Sequence, residues 1–179
     1  FDALVKGTPG HAAHPNDDNA IYNTIEVLQW FKDFRFEKDS DSLGPVKMTV
    51  TQIKAGKQHN AIPAEVELVI DVRVNDLYSN QKIAEILEKE SPCTTITPRS
   101  LRLNSSFIPV EHELVQAGIA LGRKTYGSPT LSDQSVLDCP SLKLGPGDST
   151  RSHTADEFIY LQEIEQGIEL YIKILEQIL

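Results

Sequence analysis

Only two cysteines occur among 179 residues, Cys93 and Cys139, far apart and in no paired motif. That leaves no disulfide framework to read, and free thiols in a reducing cytoplasm are the simplest expectation, with one disulfide as the alternative. No apolar run approaches the roughly 18 residues that a membrane-crossing helix needs, and no signal peptide is visible, so no membrane partner is expected. Basic charge is scarce: 17 Lys and Arg face 26 Asp and Glu, a net charge of −9. Without a basic stripe carrying interleaved aromatics, such a surface is repelled by phosphate backbones, which argues against a nucleic-acid partner. There is no His-Glu-x-x-His segment and no second histidine at ligand spacing from the C-terminal one. The first residue is Phe1 rather than methionine, inside what reads as a strand. An internal piece of a longer protein is therefore expected, a processed terminus being the alternative.

What remains has the balance of a globular protein, 40% hydrophobic and long enough for one or two small domains. Asp2 to Lys6 reads as a strand ending at the turn Gly7-Thr8-Pro9-Gly10. Ile21, Ile25, Leu28 and Phe31 then recur at helical spacing, with Asp17 and Asp18 placed to complement the helix dipole. Alternation over Val46, Met48, Val50 and Ile53, and again over Val66, Leu68, Ile70 and Val72, predicts two half-buried strands. Ile83, Ile86 and Leu87 mark a second helix, and Thr94 to Thr97 a last strand. The order β-α-β-β-α-β over residues 2 to 99 predicts an α+β, ferredoxin-like sandwich with both helices on one face.

The remainder differs in texture. It predicts a helix from Glu111 to Tyr126 anchored by Leu114, Ile119 and Leu121, and a short buried strand from Ser141 to Leu144. A terminal helix carries the stripe Leu161, Ile164, Ile168, Tyr171, Leu175 and Ile178. This resembles half of an α/β layer without its sheet, and on its own it leaves an apolar face exposed.

Two polar histidine turns stand out. Gly7 to Pro15 carries His11 and His14, and Gly145 to Phe158 carries His153 with Ser152, Thr154, Asp156 and Glu157 around it. An imidazole at His11 can polarise a carbonyl or hold an oxyanion, or be a plain surface histidine. His14, His59 and His112 read as structural or exposed. The Asn60 amide can bind a substrate carbonyl or close its turn. Arg73 can clamp a carboxylate with its planar fork, or pair with Asp71 or Asp76. Leu131-Ser132-Asp133-Gln134-Ser135 can line a ligand site or cap a helix, the cap being the simpler local reading. His153 is the strongest candidate metal ligand, but a zinc site needs three or four.

The succession Gly-x-x-Gly-His, Asn-x-Ile-Pro, Asp-x-Arg, Ser-Asp and Gly-Pro-Gly…His-Thr-x-x-Glu resembles the zinc-dependent aminoacylase and carboxypeptidase family over nearly the whole chain. Within it, the tail resembles the acetylornithine deacetylases and related acyl-ornithine or acyl-lysine deacylases. The resemblance implies a lid and dimerisation domain over residues 1–101 and a C-terminal portion of a catalytic α/β domain over 102–179. It also implies a homodimer formed through the lid, two zinc ions (cobalt or manganese as alternatives), and an N-acyl amino acid such as N-acetyl- or N-succinyl-L-ornithine as substrate. By the same resemblance His11 is the oxyanion donor, Asn60 and Arg73 contact substrate, Asp133, Gly145 and Gly147 lie beside it, and His153 is a zinc ligand. The family's other ligands and its general base match nothing in residues 1 to 179, so this chain alone is expected to be inactive. A dipeptidase, a carboxypeptidase, a succinyl-diaminopimelate desuccinylase or a non-catalytic dimerisation module are the alternatives.

Overall fold

The computed structural model describes residues 1–128, 130 and 132–179, which form two compact units. One consists principally of Phe1–Ser105, the other of Ser106–Gly127 and Ser132–Leu179.

The first unit contains β1 (Asp2–Lys6), β2 (Gly10–His11), α1 (Ala20–Asp33), β3 (Lys47–Ala55), β4 (Ala61–Ile62), β5 (Glu65–Arg73), α2 (Asn80–Glu90) and β6 (Thr95–Thr97). Its main sheet has the order β3-β5-β1-β6, antiparallel at every pairing. Each helix thus connects two strands that have a third strand between them, which is the ferredoxin-like arrangement the alternation predicted. Ala3 and Val5 of β1, with Val66, Leu68 and Ile70 of β5, turn inward against Ala20, Val27 and Phe31 of α1. Ile83 and Leu87 of α2 form a second cluster with Phe36, Val46 and Tyr78. A bulge at Thr51 shifts the β3–β5 register between Val50 and Gln52.

Helix α1 exists as expected, but its buried face is Ala20, Thr24, Val27 and Phe31. Ile21 and Ile25 point outward, 44% and 64% exposed. Nor do the acidic residues sit in its first turn. Asn19 is the N-cap, its side chain accepting from Ile21 N at 2.9 Å, while Asp18 is held by Asn23 Nδ2 and Thr8 Oγ1 at 2.8 Å each. Helix α2 begins as its sequence dictates, with the Ser79 hydroxyl accepting from Lys82 N at 3.1 Å.

The second unit contains α3 (Glu113–Ala120), α4 (Leu161–Glu176) and two 3-10 turns, Asp133–Val136 and Ser149–Arg151. Helix α3 is shorter than predicted because Gly122 adopts φ 78° and ends it, Arg123 N donating back to Gly118 O at 2.9 Å. Its buried residues are Val115 and Ala117, whereas Ile119 is exposed. Ser141 to Leu144 does not form the predicted strand; among the described residues this unit holds no partner strand to pair with it. The apolar stripe expected on α4 lies largely outside, Leu161, Ile168 and Leu175 being exposed. The face α4 turns toward its own unit carries Glu163, Gly167, Leu170 and Ile174.

Candidate functional site

Two short strands position the candidate residues of the first unit. β2 and β4 form a separate antiparallel ribbon in which Gly10 faces Ile62 and His11 faces Ala61. Ala12 N donates to Asn60 O at 3.0 Å, so His11 and Asn60 are brought together at one tip, both exposed. The ribbon prolongs the β1–β5 pairing, since Gly7 N donates to Ala64 O at 2.9 Å just before it. Only glycine fits at residue 7: a Cβ there would lie 2.4 Å from Ala20 N and 2.7 Å from Asp18 O. Further bonds tie this turn down, among them Thr8 N to Asp18 O at 2.7 Å and Asn16 Nδ2 to Thr8 O at 3.0 Å.

His11 Nδ1 accepts a hydrogen bond from Ala13 N at 3.1 Å. A neutral ring accepting at Nδ1 carries its proton on Nε2, so the ring offers an N–H donor at its outer end. The His14 ring lies 6.3 Å away, tilted, and is exposed as expected.

Arg73 is elsewhere. It ends β5, opposite Lys47, whereas the ribbon precedes Glu65 at the other end. Eight residue steps of strand separate Glu65 from Arg73, roughly 26 Å. Of the two local roles open to Arg73, the structure shows the ion pair: Nε lies 2.7 Å from Asp71 Oδ2. Because that contact uses Nε, the two Nη groups of the fork take no part in it.

In the second unit the structure sets the glycine turn and His153 along α4. Gly147 has φ 84°, and a Cβ there would meet Ile159 at 3.2 Å. Gly145 has open space around it. His153 has φ 60°, the one positive φ outside glycine among the described residues. Its N–H donates to Glu157 Oε2 at 3.0 Å, and Thr154 Oγ1 donates to Arg151 O at 2.8 Å. Strained backbone of this kind persists where its surroundings impose it and is enriched at functional sites. Upstream, Asp148 Oδ1 accepts from Thr150 N at 2.9 Å and from Thr150 Oγ1 at 2.8 Å, and these bonds, the backbone one foremost, hold its carboxyl below the usual range.

Asp133 opens the 3-10 turn after Ser132. Ser132 sits at the cap position, but its hydroxyl donates to Gln134 Oε1 at 3.1 Å rather than accepting from the turn's backbone, so the predicted side-chain cap is not formed. Leu131 lies outside the described residues. His112, expected to be exposed, is half-buried and caps α3, Nδ1 accepting from Leu114 N at 3.3 Å.

The sequence reading passed over Arg151, Glu163 and Gly167, and it placed Tyr171 in an apolar stripe, whereas its hydroxyl donates to Leu144 O. Arg151 and Glu163 form an ion pair, with Nη1 3.0 Å from Oε2 and a second contact through Nη2. The guanidinium lies over Phe158 and Tyr160, 4.9 and 5.3 Å from the ring centres. The signal was there in part, since an Arg two residues before the candidate histidine and a Glu in the next helix's first turn are both readable. Among the described residues no three His, Cys, Asp or Glu side chains converge as a metal site. His153 alone does not fit the two-zinc centre that the resemblance implies.

Residues 2–92 match the peptidase dimerisation domain of the M20 family. The chain belongs to that family. The match runs from β1 through α2, stops short of β6, and includes His11, Asn60 and Arg73. Among curated M20-like relatives, succinyl-diaminopimelate desuccinylase of Ehrlichia ruminantium (strain Gardel) is 24% identical over 99% of this chain and 49% of its own length. The [LysW]-lysine/[LysW]-ornithine hydrolase of Saccharolobus solfataricus is 26% identical over 99% of this chain and 52% of its own. The chain thus spans about half the length of the curated relatives it matches. Among solved structures, aminopeptidase PepT from Bacillus cereus aligns with a TM-score of 0.68 at 17% identity, over 98% of this chain and 50% of that one. That likeness speaks to the fold alone.

Proposed function

We propose that the M20 protein to which this chain belongs is an amidohydrolase that removes the acyl group from an N-acylated diamino acid and works as a homodimer. The observation that carries this is His11 on its ribbon, with Nε2–H free of the internal bond and Asn60 beside it. A polarised N–H there stabilises the negative charge that develops on an amide oxygen under attack by water. Asn60 contributes an amide to the substrate's polar groups, and Arg73 receives a carboxylate through its fork. Asp133, Gly145 and Gly147, in the second unit, are read as further substrate-contacting residues. His153 is offered as a single metal ligand; alone it does not make the zinc centre (cobalt or manganese as alternatives) that the resemblance implies.

The length of β5 supports the dimer. Arg73 lies roughly 26 Å along the strand from Glu65, with the ribbon beyond Glu65, so Arg73 and the His11–Asn60 tip do not grip the same small amino acid. His11 with Asn60 then serves one site and Arg73 another, as two copies related by a two-fold axis allow. Support for an interface comes from β3, an edge strand of the sheet, and from the outward Ile21, Tyr22 and Ile25 of α1.

The substrate class is drawn from relatives named for succinyl-diaminopimelate and for LysW-linked lysine or ornithine, and from the deacylase-like tail; N-acetyl- and N-succinyl-L-ornithine remain in it. Purified protein with zinc supplied is assayed against N-succinyl-diaminopimelate, N-succinyl- and N-acetyl-ornithine, and a dipeptide. Release of free amine from an acylated diamino acid, and little from the dipeptide, is expected. Dipeptide cleavage alone replaces the deacylase with a peptidase. No turnover on any of them, with a dimer in solution, favours the second reading, a non-catalytic dimerisation module. The lack of a converging ligand group among the described residues is what favours that reading for the chain in isolation.

A further inference from the structure

We propose that one face of α4, marked by Glu163, Gly167 and Tyr171, is a positioning rail that holds the glycine turn and the His153 loop in a single register. Arg151 is the residue through which this rail sets His153. The inference rests on the reading above only in taking those two loops as parts of a substrate site.

The three residues are four apart, so they stack along one side of the helix, roughly 6 Å from one to the next. Each makes a different kind of contact with an upstream loop. Glu163 takes the Arg151 fork and also accepts from Tyr160 N at 3.0 Å. Gly167 lets Pro146 approach so closely that a Cβ would lie 3.0 Å from Pro146 Cβ. The Tyr171 hydroxyl donates to Leu144 O. The first contact fixes the chain two residues before His153; the second and third fix the chain on both sides of Gly145.

His153 is then bracketed. Upstream, Arg151 is held by the carboxylate fork and two aromatic faces, with its side chain only 18% exposed. Downstream, Glu157 takes the His153 N–H at 3.0 Å. With both flanks held, the left-handed conformation of His153 is imposed rather than chosen, and the direction in which its side chain leaves the backbone is set before any ligand arrives. A flexible loop would instead spend binding energy on ordering it.

A simple helix cap offers a competing account of Glu163, and one substitution separates the two. Glu163→Gln keeps an oxygen that can accept from Tyr160 N but offers Arg151 a single neutral acceptor in place of a bidentate carboxylate. In the full 15N-labelled chain, Glu163→Gln and Arg151→Ala should each shift the His153 amide and ring signals while the far-ultraviolet circular dichroism stays that of the parent. Gly167→Ala should shift Gly147 and His153 together. Should Arg151→Ala not fold, Arg151→Lys keeps the charge without the fork and takes its place. Folded variants with unmoved His153 signals overturn the rail. In the hydrolysis assay, kcat is expected to fall about tenfold or more in Arg151→Ala. If His153→Ala hydrolyses as the parent does, the site reading fails, while the spectral coupling still decides the rail by itself.

Discussion

Arg73 Nε sits 2.7 Å from Asp71 Oδ2, two residues back on the same face of β5. Both side chains are about half exposed, so the pair adds little to stability. Its consequence is competitive: Asp71 occupies a side of the guanidinium that an incoming carboxylate would use. Arg73→Ala should raise KM about tenfold for acyl amino acids with a free carboxylate and leave a decarboxylated analogue unaffected. Asp71→Asn should lower KM for the first group. Equal losses on both substrates in the Arg73 variant would remove the clamp.

His11→Ala should lower kcat by roughly a hundredfold, the usual cost of one oxyanion donor, with little change in bound metal. Steady-state kinetics beside metal analysis separates the two effects. Unchanged turnover would take His11 out of the chemistry.

Gly7 and Gly147 occupy backbone positions that need glycine, whereas Gly145 does not. Gly7→Ala puts a methyl group into the backbone of Asp18 and Ala20 and should cost on the order of 3 kcal/mol or more. Gly147→Ala, at φ 84° and against Ile159, should cost about 1–3 kcal/mol. Gly145→Ala has open space and should leave the urea midpoint nearly unmoved, so any loss of activity there reports on substrate rather than folding. A large stability loss at Gly145 would contradict the geometry.

Four carboxyls titrate below their ordinary range when folded. Asp2 is held by its hydrogen bond to Arg99, Asp18 by Asn23 and then Thr8, Asp148 by Thr150 N–H, and Glu163 by Arg151. The unfolded chain therefore takes up protons first as pH falls. Stability from these groups is fully present above the ordinary carboxylate pKa of about 4 and is lost as pH drops through the lower folded values. Urea midpoints measured from about pH 7 to about pH 3 should fall only at the acid end. Glu163→Gln should flatten part of that fall, and an unaltered slope in this variant would deny the pair its role.

Replacing Ile21 and Ile25 by charged residues should convert the proposed dimer to a monomer without unfolding it, because both side chains point away from the core of their own unit. Sedimentation reads the mass and circular dichroism the fold. A dimer that survives both substitutions places the interface elsewhere.

Much of the fold was legible. Val66, Leu68, Ile70 and Val72 alternate because one side of β5 faces helices and the other does not. Ile83 and Leu87 mark α2 because their helical spacing puts both on the buried face. Of the candidate site, the two histidine turns could be read, since glycine, proline and hydrogen-bonding side chains act on neighbours in the chain. The ribbon joining His11 to Asn60 could not, because two-residue strands carry no period. The Arg151–Glu163 pair was missed because it spans a loop whose path depends on packing.

The sequence by itself determined the order of the main elements in the first unit, the α+β sandwich and the polar turns, all governed by local propensity and by the two periods of side-chain direction. The tertiary structure decided which helix faces are buried. On α1 the packed residues are Ala20, Thr24, Val27 and Phe31, not the outward pair Ile21 and Ile25. On α4 they include Glu163, Gly167 and Ile174, while Leu161 and Ile168 remain outside. Hydrophobicity marks every surface that is favoured by leaving water, whichever partner covers it. Which of those surfaces meets the chain's own sheet depends on close packing and backbone approach, and those exist only once the chain has folded.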